Sequence, residues 1–76
     1  MSRPNRYAVV IEKGECSFGA YVPDLPGCVA VASTKREVEQ LIAEAITFHI
    51  EGLIENGDPV PEPSSEVEYI QPVAVA

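Results

Sequence analysis

The second half of this 76-residue sequence contains no lysine or arginine. All five basic residues precede residue 37, and residues 37–76 carry nine of the twelve acidic residues. Nucleic-acid backbones are neutralised by Lys and Arg, so this composition argues against direct nucleic-acid binding. The acidic half would attract a basic protein partner, mainly by speeding the encounter, or it would serve only to keep a small protein soluble.

Signals for metals and membranes are also missing. Cysteine occurs twice, at Cys16 and Cys28, without CxxC spacing, and the single histidine, His49, is distant from both in sequence. We therefore expect no metal site, no cofactor and two reduced thiols in a cytoplasmic protein. No charged-then-apolar leader opens the chain, and no apolar run approaches the roughly 18 residues of a membrane span. The sequence predicts a soluble intracellular protein.

The chain is short, which limits the core that it can build. We interpret residues 1–76 as a single domain, and a domain near this size buries only roughly 60% of the surface that its unfolded chain exposes. With 46% hydrophobic residues the chain is nevertheless globular. Because oligomerisation would supply the missing burial, we expect a homodimer or homotetramer.

Residue patterns predict an α+β fold of order β-β-β-α-β. Short runs rich in β-branched and aromatic residues at 7–11, 18–22 and 28–32 predict three antiparallel strands. Both faces of the third strand are apolar, so one should carry the helix and the other could meet a second subunit. Residues 66–70 alternate apolar with acidic side chains, which predicts a last strand parallel to the first and the sheet order 3-2-1-4.

A capping box places the start of the helix at Lys35. The hydroxyl of Thr34 can accept a hydrogen bond from the Glu37 amide, and the Glu37 side chain can reach back. Asn56-Gly57 supplies a stop, and the prolines of residues 58–65 make a stiff connector that cannot continue the helix. Apolar residues at roughly helical spacing predict the buried face of the helix, among them Val38, Leu41, Ile42, Ala45 and Phe48.

Residues 23–27 form a Pro/Gly elbow between the second and third strands. Pro23 ends the preceding strand, and Pro26-Gly27 suits the middle of a type II turn, in which glycine takes a positive φ. The elbow carries one carboxylate, Asp24, and one leucine, Leu25, which we expect to be exposed. Such a loop could present a fixed shape to a partner or could simply turn a corner.

The order of these motifs resembles the HicB-like antitoxin family. The resemblance covers about residues 7–69, and it implies a partial ribonuclease H-like fold, in agreement with the β-β-β-α-β order. It also implies a small basic HicA-like toxin as partner, a protein of double-stranded-RNA-binding fold that cleaves messenger RNA and whose active surface the antitoxin covers. The resemblance rests on the capped helix and three segments: Val9-Val10-Ile11-Glu12, Tyr21-Val22-Pro23-Asp24-Leu25-Pro26-Gly27-Cys28 and Asn56-Gly57-Asp58-Pro59-Val60-Pro61-Glu62-Pro63-Ser64.

Many HicB proteins continue into a helix-turn-helix or ribbon-helix-helix domain that binds their operator, whereas this sequence stops at Ala76, soon after the last predicted strand. We therefore do not extend operator binding to this chain. The residues that we expect to contact a toxin lie in and beside the elbow and on the acidic helix: Tyr21, Pro23, Asp24, Leu25, Pro26, Gly27, Glu44 and Glu51.

Two alternatives to the antitoxin remain open. One is an orphan oligomeric domain without a toxin. The other is a degenerate ribonuclease H-like nuclease, which requires Glu12, Glu44 and Glu68 to come within about 4 Å of shared metal ions. We interpret all three as exposed residues, and His49 and Cys28 as packing or surface residues. The sequence therefore predicts no catalytic residues and no enzyme activity.

Overall fold

The computed structural model describes residues 6–74 and contains a three-stranded antiparallel sheet followed by one long helix. The α+β class and the helix packed on one face of the sheet agree with the prediction. The elements are β1 (Val10–Lys13), β2 (Phe18–Tyr21), β3 (Val29–Ala32) and α1 (Lys35–Glu55), and the strands follow the order β1-β2-β3 across the sheet.

Two consecutive β-turns form the elbow. The Leu25 N–H donates to the Val22 carbonyl at 3.1 Å, and the Cys28 N–H donates to the Leu25 carbonyl at 3.0 Å. Gly27 has a φ of 86°, the value that the third residue of a type II turn requires, as the sequence predicts. A bond of 3.2 Å from the Val22 N–H to the Cys28 carbonyl closes the loop. The elbow is thus held by its own backbone.

Leu25 points into the core and is fully buried. The prediction of an exposed leucine in the elbow is therefore wrong. Turn chemistry fixed the local backbone correctly, but it does not tell to which side of the sheet a loop folds, and this loop folds toward the side that carries α1. The other buried core residues come from β2, from the residues that flank the elbow and from α1: Ala20, Val22, Cys28, Val38 and Ile42.

The sheet buries one face and exposes the other. Val29 and Val31 are 63% and 67% exposed, whereas Ala30 and Ala32 pack against the core. This division follows the alternation of side chains along a strand and agrees with the predicted faces of β3. The outer face of β3 is therefore apolar and open to solvent.

β1 begins later than the predicted span of residues 7–11. Val10 pairs with Tyr21, the last residue of β2. The next turn of the chain contains Pro23, which has no N–H to donate, and the elbow leads away from the sheet. Residues 7–9 consequently have no strand opposite them, although Tyr7 and Val9 still pack against the core.

The predicted fourth strand over residues 66–70 is not confirmed, and the order 3-2-1-4 is not completed in the described part of the chain. Residues 58–74 contain no helix or strand. An open depression of about 630 Å³ lies between residues 6–9 and residues 63–68. Residues of both segments line this depression, and no strand ladder joins them in the described part of the chain.

Both ends of α1 are capped at the residues that the sequence predicts, but of the two bonds of the capping box the structure forms only the one from the Glu37 N–H to Thr34. The Thr34 hydroxyl accepts the Glu37 N–H at 3.1 Å. At the other end the N–H groups of Gly57 and Asp58 donate to the carbonyls of Ile54 and Leu53, which is the Schellman pattern, with Gly57 at a φ of 75°. Residues 6–74 include no helix that combines the length and the apolar character needed to cross a membrane.

We predict that Leu25→Ala lowers the free energy of unfolding by about 2–5 kcal/mol, because it removes a fully buried side chain and leaves a cavity. Urea denaturation of the purified protein measures this change. Val29→Ala truncates an exposed residue at the start of β3, just after the elbow, and is the matched control. Its expected change is within about 0.5 kcal/mol. Equal midpoints for the wild type and Leu25→Ala would show that the elbow is not anchored in the core.

Candidate protein-binding surface

Asp24 fastens the elbow to the proline-rich connector that follows α1. Its Oδ2 accepts the backbone N–H groups of Ser64 and Ser65, both at 2.9 Å. Its Oδ1 accepts the hydroxyls of the same residues at 3.1 and 2.9 Å. The backbone bond from Ser65 is the largest cause of a lowered Asp24 pKa. We call this arrangement the Asp24 clasp; it engages both carboxylate oxygens inside the molecule.

A second hydrogen bond attaches the same connector at a residue that comes earlier in the chain, nearer the end of α1. The Tyr7 hydroxyl donates to the Pro61 carbonyl at 2.6 Å. Partial burial raises the pKa of Tyr7, and the negative charges of Glu62 and Asp24 raise it further, so the phenol stays protonated and remains a donor. The connector is therefore attached at Pro61 and again at the Asp24 clasp.

The contact residues predicted in and beside the elbow divide into two groups. Leu25 is buried and Asp24 is engaged in its clasp, so neither side chain is free for a partner. The other four are exposed: Tyr21, Pro23, Pro26 and Gly27. What the elbow offers at the surface is mainly a rigid backbone with two proline rings.

One exposed face of α1 combines acidic and apolar side chains. Spacings of four and three residues place its members on the same side of the helix. Its two apolar members, Leu41 and Phe48, are 43% and 79% exposed, so the prediction that both belong to the buried face is wrong. We call this face the acidic stripe, and its members are Glu37, Leu41, Glu44, Phe48, Glu51 and Glu55.

The first half of the acidic stripe borders a groove of about 350 Å³. On one side the groove is lined by the outer edge of the sheet, and on the other by α1. Glu44, a predicted contact residue, lines this groove together with residues of β3. Glu51 lies further along the stripe and does not line it. Its lining residues are Val31, Ala32, Ser33, Glu37, Gln40, Leu41 and Glu44.

The carboxylates of the acidic stripe have no basic partner within residues 6–74. The ion pair on α1 joins Lys35 Nζ to Glu39 Oε2 at 3.1 Å, and it lies off the stripe. Both of its side chains are exposed, so it adds little stability. The stripe therefore presents uncompensated negative charge around two apolar side chains, an arrangement that suits a basic partner with an apolar contact point.

The residues considered for catalysis are not arranged for it in the described part of the chain. No group of three or more His, Cys, Asp or Glu side chains in residues 6–74 could hold a metal ion, so Glu12, Glu44 and Glu68 do not converge. Cys28 is buried, and burial raises the pKa of its thiol, which disfavours a nucleophilic thiolate. This geometry gives no support to the nuclease alternative.

Leu41 and Phe48 are the surface residues that sequence reasoning misplaced. Apolar residues on an amphipathic helix were assigned together to one buried stripe, which became broader than one small sheet can cover. The signal that separates them is their register with the acids: both fall three or four residues from a glutamate on each side. Val38 and Ile42, by contrast, occupy the adjacent buried line.

The Asp24 clasp predicts a pH dependence of stability. Because the folded pKa of Asp24 lies below its ordinary value of 3.8, the clasp contributes stability above that pH, and the contribution is lost as the pH falls through the lower folded pKa. Urea unfolding of the wild type and Asp24→Asn between neutral pH and pH 2 measures it. We expect the variant to be less stable at neutral pH and the difference to shrink on acidification.

Asp58→Asn is the matched control, since Asp58 is an exposed carboxylate at the start of the same connector. It should leave the pH profile close to that of the wild type. A difference between wild type and Asp24→Asn that stays constant from neutral pH to pH 2 would contradict the clasp.

Comparison with known proteins gives a consistent result. The family model described as HicB-like antitoxin of bacterial toxin-antitoxin system matches residues 7–74. A 14.9 kDa protein encoded in the rep-hol intergenic region of Haemophilus phage HP1 is 38% identical over 64 residues, which cover 84% of this chain and 48% of the phage protein. The chain thus spans about half the length of that relative.

A UPF0150 protein of Thermoplasma acidophilum is 37% identical over 62 residues, which cover 80% of this chain and 90% of the archaeal protein. Among solved structures, a chain of the HicA3 and HicB3 toxin-antitoxin complex superposes with a TM-score of 0.68 and 33% sequence identity, covering 79% of this chain and 70% of that chain. The match to the family model spans nearly all the described residues, and it includes both the elbow and the capped helix. The chain belongs to the HicB-like antitoxin family of bacterial toxin-antitoxin systems.

Proposed function

We propose that this protein is an antitoxin-like binding module that neutralises a small basic HicA-type toxin by covering the toxin's messenger-RNA-cleaving surface. The observation that carries the proposal is the acidic stripe, with its exposed Phe48 and with carboxylates that have no basic partner among the described residues. The similarity to a chain from a HicA3 and HicB3 complex supports a toxin as the kind of partner. Such a toxin acts on messenger RNA, so we place the protein in the cytoplasm.

Phe48 is suited to be the central contact of this interface. An aromatic side chain that is 79% exposed gains about 1.5–3 kcal/mol when a partner buries it. Binding energy concentrates in such aromatic anchors, and the surrounding polar residues mainly exclude water and set specificity. Glu44 and Glu51 lie on either side of Phe48 along the stripe and would pair with Lys or Arg of the toxin. Their charges also accelerate the encounter.

The exposed part of the elbow would form a second, smaller contact. Four of its predicted contact residues are at the surface: Tyr21, Pro23, Pro26 and Gly27. The two hydrogen-bonded turns fix the last three before any partner arrives, and strand pairing fixes Tyr21. A surface that is already ordered loses little conformational entropy on binding. In this proposal Leu25 and Asp24 act indirectly, by holding the elbow in shape.

Self-association is the second part of the proposal, and it involves the C-terminal segment, residues 66–74. Tyr69 and Ile70 are 98% and 82% exposed, and Val67 and Val73 are exposed as well. A small domain stabilises such residues by burying them against another copy. We propose that this segment pairs within a homodimer or homotetramer and that the partial ribonuclease H-like sheet gains its last strand there.

The same segment favours one competing function, an orphan oligomeric domain without a toxin. In that case the C-terminal segment would still drive assembly, but the acidic stripe would bind nothing. The two functions differ in what variants of the stripe do, and this difference decides between them.

We predict that Phe48→Ala together with Glu51→Lys weakens binding to a HicA-type toxin by about 30-fold or more, because it removes an aromatic anchor and reverses a charge. Calorimetry on the purified proteins measures the affinity, and rescue of cell growth against the expressed toxin gives a second readout.

Glu15→Lys is the control for this double variant. It makes the same charge reversal at an exposed position in the β1–β2 turn, off the acidic stripe, and should leave both readouts unchanged. Wild-type protein that neither binds the toxin nor rescues growth would overturn the antitoxin function and leave the orphan domain.

We further predict that Tyr69→Ser with Ile70→Ser lowers the molar mass of the assembly, because polar side chains no longer gain from burial between copies. Light scattering after size exclusion measures the mass. Phe48→Ser is the matched control, since it removes an equally exposed apolar residue outside the segment and should leave the mass unchanged. A wild-type protein that is monomeric at high concentration contradicts this part of the proposal.

A further inference from the structure

Within residues 6–74 no strand pairs with the outer edge of β3, so its backbone hydrogen-bonding groups have no backbone partner there. In an antiparallel pair, residues that bond across the pair alternate with residues whose N–H and C=O point away. Val22 donates to Cys28 across this pair, so the alternation assigns Ala30 and Ala32 to the bonds with β2. The N–H and C=O groups of Val29 and Val31 consequently point to the outer edge.

This edge lacks the features that usually protect an outer strand. Proteins place lysine, proline or a bulge at such edges to prevent pairing with other chains. β3 consists of Val-Ala-Val-Ala without a charge, and both valine side chains are largely exposed. On the helix side of the edge lies the groove that Leu41, Glu37 and Glu44 line. An incoming strand would thus find backbone partners, an apolar surface and negative charge together.

The charge around the edge argues against a second copy of this chain as the occupant. Pairing of β3 with its own copy about a two-fold axis would set the acidic stripes of the two helices near each other. The C-terminal segment is an equally poor occupant, since it carries Glu66 and Glu68. Like charges placed side by side in this way select against self-pairing. The occupant that fits is a partner of opposite charge.

We propose that the β3 edge accepts an extended segment of a partner protein as an added strand, and that this segment alternates apolar with basic side chains. Its backbone would pair with Val29 and Val31, and side chains on its helix-facing side would meet Leu41 and the carboxylates of Glu37 and Glu44. Addition of a strand to an open sheet edge is a general mode of peptide recognition. That the partner is the toxin rests on the proposed function. That the edge can accept a basic strand is argued from β3 and the groove themselves and does not depend on that function.

A synthetic peptide tests the edge without the toxin. The probe is a capped eight-residue peptide of alternating valine and lysine, and the comparison peptide replaces each lysine with glutamate. Amide hydrogen exchange, monitored by NMR, should show that the lysine peptide protects the amides of Val29 and Val31 and that the glutamate peptide does not. Protection with neither peptide, or with both equally, overturns the proposal. Amides already protected in the free protein in a concentration-dependent way would also overturn it, because a second copy would then occupy the edge.

Variants test the same edge in the presence of the toxin. Val31→Pro removes an outward N–H and no bond to β2, and it should weaken binding of the lysine peptide and of the toxin by about tenfold. Val31→Thr keeps the N–H and is the matched control, with thermal unfolding to verify that both variants fold. Leu41→Lys adds a positive charge to the groove, leaves the backbone of the edge intact and should weaken both interactions.

The outcome separates this inference from the proposed function. A toxin that does not bind at all overturns the antitoxin function, while selective binding of the lysine peptide still supports the edge. A toxin that binds wild type and Val31→Pro equally, without protecting Val29 and Val31, supports the antitoxin function and overturns strand addition.

Discussion

The burial of Leu25 is the contact on which most of this structure depends. Within residues 6–74 the core has six buried residues, and Leu25 brings the elbow into it beside Val38 and Ile42 of the helix. The same side chain therefore links β2, β3 and α1. In so small a core the loss of one well-packed residue is a large share of the total stability, since domains are stable by only about 5–15 kcal/mol. The exposed elbow surface keeps its shape because its leucine is inside.

Parts of this fold can be predicted from the sequence because they depend on interactions between residues that are close together in the chain. Thr34 and Gly57 mark the ends of the helix through interactions within one turn, and Pro26-Gly27 specifies its own turn. The elements that the sequence misassigned depend on distant contacts. Whether Leu25 faces in or out depends on the side to which the elbow folds. Whether residues 66–70 form a strand depends on a partner strand, and the described sheet, β1-β2-β3, does not include them.

The candidate surface shows the same division. The exposure of Glu44 and Glu51 could be predicted from the one-sided charge of the chain, because a helix with no lysine or arginine after Arg36 must leave most of its later carboxylates at the surface. The exposure of Leu41 and Phe48 could not be predicted, because hydrophobicity alone predicts burial, whereas the described three-stranded sheet is too narrow to cover them. The Asp24 clasp joins residues 40 positions apart and had no local signal at all.

The two attachments of the connector also lower the conformational entropy that the chain has to lose when the residues after the connector become ordered. Tyr7 holds Pro61, and Asp24 holds Ser64 and Ser65, so the path after α1 is fixed as far as residue 65. In the proposed self-association, the cost of ordering then falls on the residues that follow the Asp24 clasp and not on the connector. Fixing a residue costs about 1–2 kcal/mol, so a tether that already orders residues 58–65 spares that cost for the whole connector. In the proposed assembly, the C-terminal segment would therefore approach another copy from a fixed point of attachment at residue 65.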